Sequence, residues 1–336
     1  MFKGTGHCVI LARRCRESTQ RLYQGSAGSR TVIPNGRPQA CRSNPSSETS
    51  EPWCIMNEKT HRAEAAWPIV AGKDHAATSV FRPEALLREA RRQKELPLIA
   101  VPKFCMLDPD GDVVRHIKRK GRGRIHKGWA CYHTELLACD LDGVGEVGII
   151  GCAVGAPFAV LVAEQLFASG CWLLVSVTSA GQITPIGPSP YFVLIDRAVR
   201  DEGTSYHYLP PATFAEAPDP TLLNHTEQLL RGLPGISVHR GPTWTTDAPY
   251  RETEAAIAVA RRLGALAVEM EAAALYAFAN AAHRSVICFA HVTNAMAQIE
   301  GDFEKGDADG TTATLAVVTA AIRAWSASGR RPEDFG

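Results

Sequence analysis

The stretch that decides the fold is Gly264-Ala265-Leu266-Ala267-Val268-Glu269-Met270-Glu271-Ala272-Ala273-Ala274-Leu275-Tyr276. Residues 265–268 form an apolar run of the length typical of a short buried strand. Residues 272–282 follow closely and are almost all helix formers, with Leu275, Phe278 and Ala282 spaced to make one buried face. The pattern therefore predicts a buried strand that leads directly into a buried helix.

Two carboxylates, Glu269 and Glu271, stand on either side of Met270 where the predicted strand ends and the helix begins. Acidic side chains are rarely buried unless they are paired, so two of them at a buried position indicate a polar ligand. The alternative is that both acids start the helix and interact favourably with its positive N-terminal end. The local pattern is compatible with both interpretations.

The composition of the 336-residue chain is that of an ordinary globular protein, with 45% hydrophobic and 21% charged residues. A net charge of +1 gives no general reason to expect nucleic acid or a membrane as a partner. No apolar run approaches the roughly 20 residues that span a bilayer. The ten cysteines are scattered without a Cys-x-x-Cys pair, so we expect reduced thiols and a cytoplasmic location. No cluster has metal-ligand spacing, so we expect no metal site.

The N-terminal residues differ in composition from the rest of the chain. Seven arginines stand against two glutamates before residue 50, with Ser, Gly and Pro between them and no sustained apolar period. We expect residues 1–75 to be a disordered or non-native extension, residues 76–328 to form a single domain, and residues 329–336 to be a tail. Two further interpretations are a mitochondrial transit peptide, since such peptides are Arg-rich and acid-poor, and a natural translation start at Met56.

Strand and helix patterns alternate through the rest of the chain. Apolar runs predict strands at residues 96–101, 147–154, 173–178, 191–199, 237–240, 265–268 and 285–292. Helical spacing predicts helices at residues 83–94, 158–169, 221–231, 250–263, 272–282 and 311–326. This alternation predicts an α/β protein, a three-layer α/β/α sandwich with a mixed, largely parallel central sheet.

A strongly basic run occupies residues 115–127, with seven lysines and arginines and glycines at positions 121 and 123. Such a run is typical of a solvated loop. The functional alternative is a mobile basic flap over an anionic ligand. Nucleic-acid binding through this run is a weaker interpretation, because the net charge is balanced and no aromatic residues are interleaved with the basic ones.

Small or polar residues follow four of the predicted strands. These loops are Gly155-Ala-Pro, Thr178-Ser-Ala-Gly, Thr245-Thr-Asp and Glu269-Met-Glu. Each is weak evidence alone, because glycine before a helix is often a tight turn and Thr-Thr-Asp is often a helix cap. Ligands in open α/β sheets bind beyond the carboxyl ends of strands, so four such loops together predict one shared cleft.

The order of these motifs over residues 145–320 resembles the nucleoside phosphorylase/nucleosidase superfamily, which includes uridine phosphorylase. The most specific part is Ala267-Val-Glu-Met-Glu-Ala-Ala-Ala, which is similar to the ribose-binding signature of that family. The resemblance implies that Glu271 binds the sugar hydroxyls, that Met270 lies against the ribose, and that Arg251 contacts the base. It also implies a nucleoside phosphorylase-like domain whose further substrate-binding residues are Glu269, Thr245, Asp247, Thr178, Ser179, Gly181, Gly155 and Asn294. His291 is a further candidate because of where its strand ends, and the alternative for it is a structural, hydrogen-bonded histidine.

The residues that would hold phosphate depart from the phosphorylase pattern. The family has an arginine where this chain has Ser176, and residues 129–134 contain no arginine to donate to a neighbouring subunit. The early Gly-Asp-x-x-Arg turn, placed at Asp108-Pro-Asp-Gly-Asp, offers no arginine in register. Ser179-Ala180-Gly181 is similar to the spelling of the superfamily's nucleosidases, which use water. Those enzymes have an aspartate where this chain has Asn294.

We therefore expect an enzyme of nucleoside catabolism that cleaves the N-glycosidic bond of a pyrimidine or modified nucleoside. Phosphorolysis to the free base and ribose 1-phosphate is the nominal reaction, with phosphate as co-substrate and no cofactor. The alternatives are hydrolysis by water in the same pocket and a non-catalytic nucleoside binder. The resemblance also implies a homo-oligomer, from a dimer to a hexamer.

Overall fold

The computed structural model describes residues 72–296 and 300–329. All of these belong to the compact unit that begins at Ala65. The expected N-terminal extension, apart from residues 72–75, lies outside the described residues, as does the expected tail after residue 329. The proposed translation start at Met56 also lies outside them, so the boundaries of the single domain stay a prediction.

Among the described residues, ten strands belong to one sheet. In chain order they are β1 (Phe104–Asp108), β2 (Arg124–Ile125), β3 (Leu137–Leu141), β4 (Gly145–Gly151), β5 (Leu173–Gln182), β6 (Tyr191–Asp201), β7 (Phe214–Glu216), β8 (Val238–Thr246), β9 (Ala267–Glu269) and β10 (Ser285–Asn294).

Part of the sheet closes on itself. The strand order is β10-β6-β8-β9-β5-β1-β4-β3-β2, and an additional pairing of β10 with β5 joins the first strand to the fifth. Strands β5, β10, β6, β8 and β9 therefore form a closed barrel, and β1, β4, β3 and β2 extend the sheet from β5. Pairings of β1 with β4 and β5, of β10 with β5, and of β8 with β6 and β9 are parallel. The remaining pairings are antiparallel, so the sheet is mixed.

Seven α-helices lie among the described residues. They are α1 (Pro83–Lys94), α2 (Asp112–Arg119), α3 (Ala156–Ala168), α4 (Pro220–Leu230), α5 (Glu254–Arg262), α6 (Ala272–Ala282) and α7 (Thr311–Ala327). Helices α1, α3 and α6 pack together as one group, and α2, α4 and α7 as another. No helix in these ranges is long and apolar enough to cross a membrane.

The helix layers explain why the central strands are apolar throughout instead of alternating. Every residue of β10 is buried, and β5 is buried over its first six residues. A strand covered on both faces needs apolar side chains on both faces, which is why it reads as a continuous hydrophobic run. Buried α6, with eight of its residues in the core, packs against α3 on one side and the barrel strands on the other.

The strand predicted at residues 96–101 is wrong, because the first strand of the sheet is β1. Glu95 ends α1 in the left-handed conformation with φ 54°. Leu98 and Ile99 are exposed, and Pro97 and Pro102 on either side lack the N–H groups that a ladder needs. The apolar run is therefore an extended connection on the surface.

The basic run at residues 115–127 was predicted to be a loop, and this is wrong over most of its length. Its first half is the second part of α2, and residues 124–125 form β2. Val113 and Ile117, one turn apart, bury the inner face of α2 while its basic side chains face outward. The helical period was not recognised because only two buried apolar positions, Val113 and Ile117, mark it among many charged residues.

The helix predicted at residues 250–263 begins four residues later than expected. Pro249–Arg251 is a separate 3-10 turn. The side chain of Thr253 accepts a hydrogen bond from the Ala256 N–H and starts α5 at Glu254. This break separates the loop after β8 from the helix and leaves the loop at the edge of the candidate site.

Candidate active site

The carboxyl group of Glu271 is buried at the junction of β9 and α6, with only 2% of the residue exposed. Its Oε1 accepts a hydrogen bond from the Gly155 N–H at 2.7 Å, and its Oε2 accepts one from the Met270 N–H at 3.3 Å. The Thr178 side chain lies close enough to this carboxyl to lower its pKa. Three of the four predicted strand-end loops therefore converge on Glu271.

Glycine is required at position 155 by the backbone. Gly155 has φ 87° and ψ 148°, a combination that side-chain-bearing residues rarely adopt. This conformation ends the loop after β4 and starts α3. The N–H of Gly155 donates the hydrogen bond that Oε1 of Glu271 accepts.

Burial, and secondly the nearby charge of Glu269, raise the pKa of Glu271 to about 8. Interactions with Gly155, Thr178 and Met270 limit this rise by stabilising the charged form. The carboxyl of Glu271 therefore keeps its proton near neutral pH in the ligand-free protein. In that state it can both donate and accept hydrogen bonds.

Glu269 has a different role from Glu271. Its Oε2 accepts hydrogen bonds from the N–H groups of Glu271 and Ala272 at 2.7 and 2.8 Å, the first donors of α6. Its Oε1 accepts hydrogen bonds from the hydroxyls of Thr243 and Thr245. The helix-start interpretation therefore describes Glu269, whose carboxyl is buried and already engaged by protein groups.

Thr245 hydrogen bonds Glu269 directly. It is fully buried, and its hydroxyl donates to Glu269 while accepting a hydrogen bond from the Ala273 N–H at 2.9 Å. Both residues were predicted to bind substrate. The structure places them where they orient the start of α6, and so the position of Glu271.

A second cluster surrounds Ser179, which follows Thr178 on β5. The Ser179 hydroxyl donates a hydrogen bond to Oδ2 of Asp110. The Lys305 ammonium lies 3.2 Å from the same Asp110 oxygen and 2.6 Å from Oδ2 of Asp112. Sequence reasoning included Asp110 only as part of the early turn and did not single out Lys305, because 195 residues separate the two and no local pattern joins them.

The prediction that the early turn has no arginine in register was wrong. Gly111-Asp112-Val113-Val114-Arg115 has the Gly-Asp-x-x-Arg spelling, and its Gly111 and Asp112 are the last two residues of the turn in which it was sought. Gly111 precedes α2 with φ 75°, and a Cβ there would lie 2.7 Å from Cys152 Sγ and 2.9 Å from Arg115 Nη1. Arg115 donates to Asp112 at 2.5 Å and to the Asp110 carbonyl at 2.9 Å.

His291 stands opposite Ser179 in the pairing of β10 with β5. Its ring stacks on Phe192 with centroids 4.3 Å apart, and the backbone of Gly310 approaches it so closely that a Cβ there would lie 2.4 Å from Cε1. Burial lowers the pKa of His291 to about 4, partly offset by the charge of Asp110. The imidazole is therefore neutral at physiological pH.

Gly181 and Asn294 meet where the barrel closes. Gly181 pairs with Val268 on one side and Asn294 on the other. A Cβ at Gly181 would lie 2.7 Å from the Met296 sulfur, so only glycine fits here without rearrangement. The Asn294 side chain is buried, with Oδ1 accepting from the Met296 N–H at 2.9 Å and Nδ2 donating to Thr293 at 3.2 Å.

The loop after β8 carries two of the predicted site residues, Asp247 and Arg251. Arg251 is exposed on the 3-10 turn, and Oδ2 of Asp247 accepts a hydrogen bond from the Gly203 N–H at 2.8 Å. Sequence reasoning passed over Glu252, whose pKa is raised by partial burial. A carboxylate next to an arginine in a loop carries no local signal of burial, so only the tertiary structure identifies it.

Comparison with known proteins identifies the family. The model of the phosphorylase superfamily matches residues 103–325, about two thirds of the chain. The chain belongs to the phosphorylase superfamily. This confirms the resemblance found in the sequence, and it extends the match to β1 and the turn that contains Gly111 and Arg115.

Uridine phosphorylase from Vibrio fischeri ES114 is a solved protein with a fold similar to that of this chain. One structure of that protein, with bound 6-hydroxy-1-naphthoic acid, is 20% identical and superposes with a TM-score of 0.56. The match covers 67% of this chain and 92% of that one. A second structure of the same protein is 21% identical, with a TM-score of 0.55. The α/β fold with a mixed sheet is thereby confirmed.

The curated relatives match a smaller share of this chain than the solved structures do. A DeoD-type purine nucleoside phosphorylase from Streptococcus pyogenes serotype M4 is 30% identical over 139 residues, which is 41% of this chain and 58% of that relative. The uncharacterized protein R802 of Acanthamoeba polyphaga mimivirus is 28% identical over 159 residues, 47% of this chain and 60% of that relative. The matches thus span under two thirds of the relatives' length.

The superfamily's phosphorylases need no cofactor, and phosphate is their co-substrate. Within the described ranges, no group of three or more His, Cys, Asp or Glu side chains is placed to hold a metal ion. The chemical groups at hand in this superfamily member are therefore a buried carboxyl at Glu271 and a mixed ionic cluster around Ser179.

Proposed function

We propose that this protein cleaves the N-glycosidic bond of a nucleoside. The observation that carries the proposal is the Glu271 carboxyl, buried between α6 and β9, held by Gly155 and close to Thr178. Cleavage of an N-glycosidic bond builds positive charge on the sugar ring and negative charge on the departing base. A fixed carboxyl beside the ribose hydroxyls orients the sugar and favours the charged transition state.

The proposed roles follow the positions of the residues. Glu271 binds the ribose hydroxyls, and half-buried Met270 beside it lies against the sugar. Positive charge on the sugar lowers the pKa of Glu271 and favours its carboxylate form during the reaction. The groups that support the ribose and acceptor sides are the predicted residues Thr178, Ser179, Gly155, Gly181, His291 and Asn294.

The base is proposed to be a pyrimidine or a modified base. Arg251 in the loop after β8 supplies a cation that stabilises negative charge on the departing base. Asn294 at the end of β10 is an amide that can hydrogen bond a base but cannot protonate it, unlike an aspartate. Such a reaction belongs to nucleoside catabolism.

Phosphorolysis is the nominal reaction. An oxygen of phosphate bonds to the anomeric carbon, the C–N bond breaks, and its electron pair leaves with the base, which takes up a proton. The products are the free base and ribose 1-phosphate. Ser179, Lys305 and Arg115 are the donors near the end of β5 that could hold the phosphate.

Hydrolysis is the second candidate, and one observation favours it. The Ser179 hydroxyl and the Lys305 ammonium already bind the Asp110 carboxylate. Water is neutral and smaller than phosphate, so it needs no excess of cations in the acceptor site. The products would be the free base and free ribose.

The two reactions are separated by incubating the protein with a panel of nucleosides, with and without phosphate. We expect release of free base, with either ribose 1-phosphate or ribose as the other product. Glu271→Ala should abolish this release, and Glu254→Ala, which removes an exposed glutamate from the first turn of α5, is the matched control. If the wild-type protein binds nucleosides but releases no base from any of them, the protein is a non-catalytic binder.

A homo-oligomer is part of the proposal. Phe81 and Leu161 are exposed apolar residues that line one groove together with Pro157, two residues after Gly155. A second copy of the chain covering this groove would also adjoin the loop that holds Glu271. Light scattering coupled to size exclusion tests this, and a monomer at micromolar concentration would refute it.

A further inference from the structure

The acceptor side of the site contains a negative group where an anionic co-substrate would have to bind. We propose that Asp110 determines the acceptor: its carboxylate competes with phosphate for Ser179 and Lys305, and so weakens phosphate binding. The effect of Asp110 on the choice of acceptor in catalysis rests on the proposed function. Its test, however, measures phosphate binding directly and does not need turnover.

The contacts of Asp110 connect it to the ribose side. The Thr178 side chain lies close enough to the Glu271 carboxyl to affect its pKa, and the next residue, Ser179, donates its hydroxyl hydrogen to Asp110. The two carboxyl groups thus lie next to consecutive residues of β5. Because Ser179 is also paired with His291, Asp110 lies at the same ends of β5 and β10 as the rest of the candidate site.

The first argument is the supply of hydrogen-bond donors. A serine hydroxyl has one hydrogen to donate. In this structure Ser179 donates it to Asp110. Phosphate and carboxylate oxygens are both acceptors at neutral pH, so phosphate can take this hydrogen only after Asp110 has released it. The Lys305 ammonium has three hydrogens, and Asp110 occupies one of them while Asp112 occupies another.

The second argument is charge. Two cations, Arg115 and Lys305, stand in this cluster against three carboxyl groups, Asp108, Asp110 and Asp112. Ser176, where a phosphorylase would have an arginine, is buried and adds no charge. Phosphate is bound in proteins by excess positive charge and N–H or O–H donors. Here the three carboxyl groups outnumber the two cations, so the cluster offers no excess positive charge to a phosphate dianion.

Asp110 is also placed where it can be changed without loss of the core. It follows β1 in a turn, and about a third of its side chain is exposed. Asn is nearly the same size and removes the charge, and its NH2 group can donate to the Ser179 oxygen, which leaves the Ser179 hydrogen free. Asp110→Asn should therefore free Ser179 and one hydrogen of Lys305 for an anion.

The experiment is titration of the full-length protein with inorganic phosphate by isothermal calorimetry. We expect Asp110→Asn to bind phosphate on the order of tenfold more tightly than the wild type, a change of about 1.4 kcal/mol. Asp140→Asn, the same substitution at an exposed position on β3, is the matched control and should leave the affinity unchanged. Asp110→Ser serves as a second variant if the asparagine variant melts abnormally.

The double variant Asp110→Asn/Ser179→Ala locates the effect. It should lose most of the gained affinity if phosphate takes the hydrogen that Ser179 now gives to Asp110. Equal or weaker phosphate binding by Asp110→Asn and Asp110→Ser overturns the proposal, as does an equal gain in Asp140→Asn. Absence of nucleoside cleavage by the wild type refutes the proposed function instead, and leaves these binding results to stand alone.

Discussion

Oε1 of Glu271 accepts a hydrogen bond from the backbone N–H of Gly155 at 2.7 Å, across 116 positions of the chain. This bond joins the start of α6 to the start of α3. It fixes one oxygen of the buried carboxyl. The bond depends on the backbone conformation of Gly155, which glycine adopts freely.

Gly155→Ala should therefore damage the site through the backbone. We expect a stability loss of about 1 kcal/mol or more, because φ 87° is unfavourable for alanine, and a lower kcat/KM for the nucleoside. Gly187→Ala is the matched control, since Gly187 has open space for a Cβ and no positive φ. Chemical denaturation and steady-state kinetics measure both effects. Equal behaviour of the two variants would show that the Gly155 conformation is not needed.

The raised pKa of Glu271 predicts a pH dependence of stability. Its pKa is about 8 in the folded protein, against an ordinary value of 4.5. Between these values the folded state binds a proton that the unfolded state has lost, so this group makes the protein less stable as pH rises from about 5 to 8. Below pH 4.5 both states are protonated and the effect disappears.

Glu271→Gln should remove this dependence, because glutamine does not titrate. Urea denaturation of both proteins at pH 5 and pH 8 measures it. The wild type should lose stability relative to the variant as pH increases. Parallel curves at all pH values would mean that the Glu271 carboxyl is ionised in the folded protein at no cost.

Thr245→Val tests the support beneath Glu271. The substitution keeps the side-chain shape but removes hydrogen bonds to Glu269 and Ala273, which leaves buried polar groups unpaired. We expect a loss of about 1–3 kcal/mol in the free energy of unfolding. Thr312→Val, at an exposed position in α7, should change stability by less than about 0.5 kcal/mol. A similar small change for Thr245→Val would argue against a supporting role.

Arg251→Ala separates binding of the base from folding. Arg251 is exposed, so its loss should change stability by less than about 0.5 kcal/mol. If the arginine stabilises the departing base, kcat/KM should fall roughly 10-fold or more, with the size depending on the base. Arg262→Ala, at an exposed position in α5, is the control. Unchanged kinetics for every nucleoside that the wild type cleaves would remove Arg251 from the mechanism.

Local patterns in the chain were enough to predict most elements and the superfamily. Helix α6 was predicted with its observed bounds, because alanine-rich sequence and apolar spacing are local properties. The strand at residues 96–101 failed for the opposite reason: an apolar run cannot tell whether a neighbouring strand is available to pair with it. The helix in the basic run was missed because two buried residues are too few to show a period.

The sequence by itself determined the alternation of strands and helices, the carboxylate pair at the end of β9, and the order of loops that resembles the superfamily. Only the tertiary structure decided that β5 pairs with both β9 and β10 to close a barrel. It also decided that Glu269 starts a helix while Glu271 faces the site, and that Asp110, Ser179 and Lys305 meet. The physical reason is that side-chain period reports burial, whereas hydrogen-bond partners far apart in the chain depend on how strands are arranged in space.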